Sequence, residues 1–309
     1  MANTILNQKI EISSSISAQD QVRRLVWKLA IATFLLMAIG SATRVMNAGL
    51  ACPDWPLCYG TLVPTAQMNL RVFLEWFHRL DAALIGVGTI ALFGLSWWHR
   101  LKLPRWFPWV ATFALFLIMF QGILGGLTVT ELLRFDIVTA HLGTALLFFC
   151  TLLVMGCAIM PYNSIGTVGR LPWLGLTAAV CVYLQSILGG LVASRWALHQ
   201  CFGNNQLCLV MNSHIAGIVP ATVGSLAVVI LAWRTSALNP VLRRIATWVG
   251  LCLLVQIVIG IATFRLHLQV EPLTVSHQAV GALLLGTLVA FTVLGFRDSK
   301  VSWKSAQQS

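Results

Sequence analysis

Eight runs of apolar residues, each long enough to cross a bilayer, occupy most of this chain. A spanning helix needs about 20 such residues. The runs fall at 25–46, 72–98, 107–129, 136–160, 173–193, 209–233, 244–264 and 273–296. They are rich in Leu, Ile, Val, Gly and Ala and lack the strict alternation of a barrel strand. They therefore predict helices, which satisfy their backbone polar groups internally. With 58% hydrophobic and only 9% charged residues among 309, the composition excludes an ordinary soluble domain. The expected fold class is an all-α integral membrane protein with eight transmembrane helices.

A net charge of +11 would suit a nucleic-acid binder, but the placement of the charges argues for topology instead. Fourteen of the 20 basic residues lie on one side of the expected helices: Lys9, Arg23, Arg24, Lys28, Arg100, Lys102, Arg105, Arg170, Arg234, Arg243, Arg244, Arg297, Lys300 and Lys304. Arg44, Arg71, Arg134, Arg195 and Arg265 lie on the other, and Arg79 falls within the second run. Basic loops stay in the cytoplasm. Both termini are thus expected to be cytoplasmic, in a multi-pass protein of the cell membrane, with no nucleic-acid partner. The polar first 20 residues contain no apolar core and do not read as a cleavable signal.

The chain reads as an internal duplication. Gln121-Gly-Ile-Leu-Gly125-Gly in the third run matches Gln185-Ser-Ile-Leu-Gly189-Gly in the fifth and Gln256-Ile-Val-Ile-Gly260 in the seventh, with a weaker copy around Gly40 in the first. Runs 1–4 therefore correspond to runs 5–8. Each half has an even number of crossings, so the two repeats share one orientation and are related by a pseudo-two-fold axis along the membrane normal. The expected organisation is an N-terminal tail (1–24), a first four-helix bundle (25–160), a second (173–296) and a C-terminal tail (297–309). The glycine pairs either let helices approach closely or make room for a flat macrocycle.

One histidine lies near the start of each even-numbered run: His78, His141, His214 and His277. The spacing is 136 residues both from His78 to His214 and from His141 to His277. An imidazole in hydrocarbon is costly without a partner, so intramembrane histidines point to function. Four at repeat-equivalent places, all toward the outer leaflet, suggest two bis-imidazole metal sites, most naturally haems: His78 with His141, and His214 with His277. The competing reading is hydrogen bonding between helices. His99, His199 and His267 fall in loops and are given no ligand role.

The halves differ at one position. Glu75 precedes His78 by three residues, on the same helical face. The matching positions before His141, His214 and His277 are Val138, Met211 and Thr274. A carboxylate beside only one metal site marks the first half as the place where a proton or cationic intermediate is handled. The alternative is a surface glutamate paired with Arg71 or Arg79. Asp81 is also near, as a partner of His78 or Arg79.

Cys52 and Cys58 flank one outer loop, and Cys201 and Cys208 flank its counterpart in the second half. On the oxidising side of a membrane each pair is expected to form a disulfide. Zinc is the competitor, but pairs on separate halves do not readily complete one tetrahedral site. Cys150, Cys157, Cys181 and Cys252 read as small core residues.

Together, Thr43-Arg44, the Gly49–Gly60 segment containing Cys52-Pro-Asp-Trp-Pro-Leu-Cys58, Glu75-Trp-Phe-His78-Arg79 and the three later histidines resemble the haem A synthase family over essentially all eight runs. The resemblance implies an oxidoreductase that converts a methyl group of haem O into the formyl group of haem A, through an alcohol, for terminal oxidases. It implies a haem b cofactor on His214 and His277. It also implies a substrate haem O site at His78 and His141 with Glu75 catalytic. The implied partners are haem O synthase, terminal oxidase assembly factors and an unidentified electron-transfer partner. A different class fits the histidines alone: a dihaem b-type electron-transfer cytochrome with no reaction of its own, in which Glu75 has no role. A haem transporter would need a path across the membrane, which one-sided histidines do not provide.

Overall fold

The computed structural model describes residues 2–193, 208–266 and 269–306, with side chains for 18–193, 209–266 and 269–299. Eight long helices make up almost all of it: α1 (Ala2–Val45), α2 (Leu70–Trp98), α3 (Phe107–Thr130), α4 (Phe135–Ile159), α5 (Leu171–Val192), α6 (Cys208–Arg234), α7 (Pro240–Arg265) and α8 (Glu271–Ala306). A short 3-10 turn, Thr65–Gln67, precedes α2. Among the described residues the only β feature is an isolated bridge between Cys58 and Thr61. All eight helices carry a span long and apolar enough to cross a membrane, and the protein is a multi-pass membrane protein.

Most helix ends fall within a few residues of the expected runs, for local reasons. Pro108, Pro172 and Pro240 open α3, α5 and α7, where a missing N–H costs nothing. The Asn69 side chain accepts from the N–H groups of Arg71 and Val72 and caps α2. Two ends differ. α1 begins at Ala2 and α8 runs to Ala306, well beyond the expected 25 and 296. No Gly or Pro precedes Gly40 in α1 or follows Gly295 in α8, so neither extension contains a strong helix breaker.

The packing has a simple order. α1 contacts α2, α2 contacts α3, α3 contacts α4, and α4 returns to α1; α5, α6, α7 and α8 close a second ring in the same way. The rings meet where α4 and α8 pack on each other, with α1 against α8 and α4 against α5. α4 and α8 accordingly bury 56% and 61% of their spans, against 22–33% for the other six. The fully buried Phe148, Leu152 and Met155 of α4, with Leu285, Leu288 and Phe291 of α8, form the centre of the core. Glycines permit close approach here: a methyl on Gly190 would lie 2.8 Å from Leu142, and one on Gly286 3.0 Å from Leu153.

Connections at the α4 C-terminal end are tied down by one carboxylate. Asp298 of α8 is fully buried. It accepts from the N–H groups of Ile165 and Thr167 at 2.9 and 3.3 Å, and from Asn239 and the Tyr162 hydroxyl at 3.3 and 3.4 Å. Neighbouring Arg297 donates to the terminal carbonyls of α4, Cys157 and Met160, at 2.6 and 2.8 Å, the favourable location for a cation at a helix end.

Candidate functional site

The four histidines share a setting in the even-numbered helices. His141, His214 and His277 each sit six residues after the first residue of their helix (Phe135, Cys208 and Glu271), and His78 lies eight after Leu70. Each faces a glycine on the preceding helix. A methyl group on Gly40 would lie 2.8 Å from the His78 ring, on Gly125 3.4 Å from His141, on Gly189 3.0 Å from His214 and on Gly260 2.9 Å from His277. One member of each glycine pair thus makes room for an imidazole. The second does something else: Gly126 backs the Trp55 ring, and Gly190 packs on Leu142.

In the first ring the His78 and His141 imidazoles lie with centroids 6.5 Å apart, tilted by 45°. That spacing admits one metal ion between them at an ordinary metal–imidazole bond of about 2.0–2.1 Å. His141 Nδ1 and His277 Nδ1 are buried and have no hydrogen-bond partner among the described residues. Glycine-backed imidazoles with unclaimed nitrogens fit the demands of a haem iron with two histidine ligands. Glutamines one turn before the glycines anchor three of the four. Gln121 Nε2 donates to the His141 carbonyl at 3.0 Å. Gln185 Nε2 lies 2.8 Å from the His214 carbonyl oxygen and 3.0 Å from its Nδ1. Gln256 Nε2 lies 3.3 Å from His277 Nε2.

Glu75 is buried, only 4% exposed, and both its oxygens are engaged. Oε1 pairs with Arg79 Nη2 at 2.5 Å, and Oε2 accepts from the Cys52 N–H at 2.8 Å. The ion pair with Arg79 is therefore present, but inside the protein rather than on a solvated face. Asp81 does not take part in it. Arg79 also donates to the carbonyls of Leu57, Asp54 and Cys52 at 2.5, 2.6 and 3.4 Å. One guanidinium thus compensates the buried carboxylate and closes the loop above it; a buried charge is tolerated only when paired in this way.

The loop is a compact lid on α2. Cys52 and Cys58 form a disulfide that packs with Val72 against Ala51 and Trp76. Trp76 Nε1 donates to the Leu62 carbonyl at 2.7 Å. Asp54 accepts from the N–H groups of Tyr59 and Gly60 at 2.6 and 2.7 Å. The Gly60 bond foremost, then that of Tyr59 and the nearby Arg79 charge, hold its carboxyl below the usual range despite some desolvation. Tyr59 and Gly60 adopt positive φ, 54° and 70°, the turn that aims both N–H groups at Asp54. The matching loop of the second half, with Cys201 and His199, lies outside the described residues, as do His267 and the Cys208 side chain. Cys150, Cys157, Cys181 and Cys252 are free thiols within helices, Cys157 and Cys252 buried.

Sequence reasoning did not foresee that the rings touch beside both histidine pairs. Arg44 Nη2 donates to the Gly190 carbonyl of α5 at 3.3 Å, and Gln278 Nε2 to the Met37 carbonyl of α1 at 3.4 Å. Nor did it assign Arg79 its loop-closing role.

The model of the family described as cytochrome oxidase assembly protein matches residues 23–289. A haem A synthase of Shewanella oneidensis is 30% identical, over 86% of this chain and 95% of its own. Haem A synthases of Caulobacter vibrioides and Rhizorhabdus wittichii are 26% and 27% identical, over 86% and 84% of this chain and 94% and 90% of theirs. With glycine-backed histidines in α2, α4, α6 and α8 and a match that runs through all eight spans, the chain belongs to the cytochrome oxidase assembly family that includes the haem A synthases.

Proposed function

We propose that this protein is a haem A synthase that oxidises a methyl group of haem O to the formyl group of haem A. The first helix ring, residues 25–160, is the substrate half, with His78 and His141 on the iron of haem O. The second, 173–296, holds haem b between His214 and His277. When bound, haem b would supply a one-electron redox centre, held by His214 and His277. The halves are tandem copies related by an axis along the membrane normal, with both termini in the cytoplasm of a cell-membrane protein.

The observation that carries the assignment is Glu75, buried beside His78 and held by Arg79 and the Cys52 N–H. Its counterparts Val138, Met211 and Thr274 cannot carry charge. The methyl is hydroxylated to an alcohol and then to a gem-diol, which loses water to give the formyl group. Each hydroxylation is a two-electron oxidation, so an electron-transfer partner is required. Glu75 is placed to stabilise positive charge at the reacting carbon or to take a proton from an attacking water. Arg79 pairs with the carboxylate and fixes its place, and the disulfide-closed lid restricts water above it. Haem O synthase supplies the substrate and terminal oxidases take the product.

The test is the haem extracted from cells that make haem O and express this chain. Appearance of haem A supports the reading. Unchanged haem O beside a bound bis-histidine haem would identify an electron-transfer cytochrome instead.

A further inference from the structure

Arg44 is a cation inside a membrane-spanning helix with little to hold it. It lies in the last turn of α1, within the Ala18–Val45 span, and is half-buried. The other arginines at the histidine end with described side chains are accounted for. Arg79 pairs with Glu75, Arg134 pairs with Glu131 and Asp136, and Arg71 and Arg265 are exposed. Arg44 takes part in no ion pair among the described residues. Its one hydrogen bond there runs from Nη2 to the Gly190 carbonyl, at 3.3 Å. Most donors of the guanidinium fork are therefore unused. Glu271, which opens α8, is exposed and not bonded to it. Residues 194–207, which follow α5, include no Asp or Glu. Charged side chains within membrane spans are rare and mark functional sites.

The location indicates the missing anion. Gly40, one turn before Arg44 on the same face of α1, packs against His78. Gly190, whose carbonyl receives the guanidinium, directly follows Gly189, which packs against His214. The side chain thus starts in the first ring beside one histidine and ends in the second ring beside another. A haem carries propionate carboxylates at its rim as well as iron at its centre. A carboxylate taken out of water needs a paired, hydrogen-bonded cation. The planar fork of arginine matches a carboxylate with two parallel bonds.

We infer that Arg44, a residue of the first ring, binds a propionate carboxylate of the haem held in the second, so that the second-half site is completed from the first half. The inference rests on the assignment of haem b to His214 and His277 proposed above. The competing role is structural. The Gly190 carbonyl lies in the last turn of α5, where a cation is favourable by itself. A cap of that kind needs one donor and is indifferent to the chemistry of the haem rim.

The experiment uses the full-length protein purified with haem b, and the same protein reloaded with haem b dimethyl ester, which has no carboxylate. Arg44→Gln keeps an N–H for the Gly190 carbonyl and removes the charge. Arg44→Lys keeps the charge without the fork. Arg44→Gln should lose haem b to an apoprotein acceptor about 10–100-fold faster, the usual effect of a hydrogen bond to a charged group, and Arg44→Lys by a smaller factor. The reduction potential of haem b should fall in Arg44→Gln, because a nearby positive charge favours the electron-richer iron. The ester should leave at nearly the same rate whether Arg, Lys or Gln stands at 44. The inference is overturned if Arg44→Gln releases haem b at the unsubstituted rate, or if it speeds release of the ester as much as that of haem b, as a structural cap predicts. It is overturned equally if haem b is unaffected and only uptake of haem O falls, which would put the carboxylate in the first half. Should Arg44→Gln fail to fold, the same comparison with Arg44→Lys decides. His214→Ala separates the two levels. If it retains a bis-histidine haem spectrum, the ligand assignment itself falls and takes this inference with it. If it loses that spectrum while Arg44→Gln changes nothing, only the inference falls.

Discussion

His78 and His214 occupy corresponding places in the two helix rings, yet their surroundings are nearly opposite. Beside His78 stands a buried carboxylate, locked between Arg79 and the Cys52 N–H under a disulfide-closed lid. Three residues before His214 is Met211, and its ring and carbonyl are held by Gln185. The backbone device, a glycine facing an imidazole, is the same in both. On the proposed reading, two helix rings with the same glycine–imidazole device each offer a place for a macrocycle, and a few side chains divide the work. The half with charge beside the ligand is suited to chemistry. The half whose histidine has an apolar neighbour, Met211, in place of the carboxylate is suited to storing and passing electrons.

The largest effects should come from the second half's ligands. His214→Ala or His277→Ala leaves a buried iron one ligand short, and purified protein should lose its low-spin bis-histidine absorption spectrum. Unaltered spectra in both variants would remove the haem b site from this half.

Next in size is the ion pair. Arg79→Ala strands a buried carboxylate and three carbonyl acceptors, and breaking such a pair costs about 3–5 kcal/mol. Thermal unfolding in detergent should show that loss. The effect should fall on the first half, so haem b absorption at low temperature should persist. Simultaneous loss of haem b would show that the halves do not behave as separate units.

The cystine should matter less to stability. Cys52 and Cys58 are only six residues apart. A short closed loop restricts the unfolded chain little, so Cys52→Ser with Cys58→Ser should cost near the low end of the usual range, about 2 kcal/mol. Its larger consequence should be on conversion, through slackening of the N–H that holds Glu75. Full conversion by the double variant would show that the lid has no part in the chemistry.

The smallest effect concerns Asp54. Its carboxyl is held below the ordinary value by the Gly60 and Tyr59 N–H groups. A depressed folded-state value means that its support for the loop is complete above the ordinary aspartate value of about 3.9. That support is lost as pH falls through the lowered value. Loop proteolysis should therefore rise only in acid below about pH 4, and Asp54→Asn should abolish that dependence. A pH-independent cleavage rate in the unsubstituted protein would contradict it.

Much of this was legible in the residues because the bilayer imposes strong patterns. The eight spans follow from apolar length, and the four histidines and Glu75 stand out because polar groups are rare there. The Cys52–Cys58 bridge was readable from spacing and compartment. What stayed hidden lies in contacts between distant segments. Arg79 reaches carbonyls 22–27 residues back in the chain, and Arg44 reaches Gly190, 146 residues away; no local pattern encodes either. Asp298 falls in the expected terminal tail, 297–309, but it is fully buried and organises connections 59–136 residues away.

The most direct test of the division between the halves is the haem composition of cells expressing Glu75→Gln. Glutamine keeps the shape but cannot carry negative charge or take a proton as a carboxylate does. The account predicts normal haem b in the purified variant. It also predicts conversion lowered about 10²–10⁴-fold, the usual worth of general acid–base assistance, with haem O or the alcohol accumulating. Normal haem A from a well-expressed variant would contradict it, and would reduce Glu75 to the buried partner of Arg79.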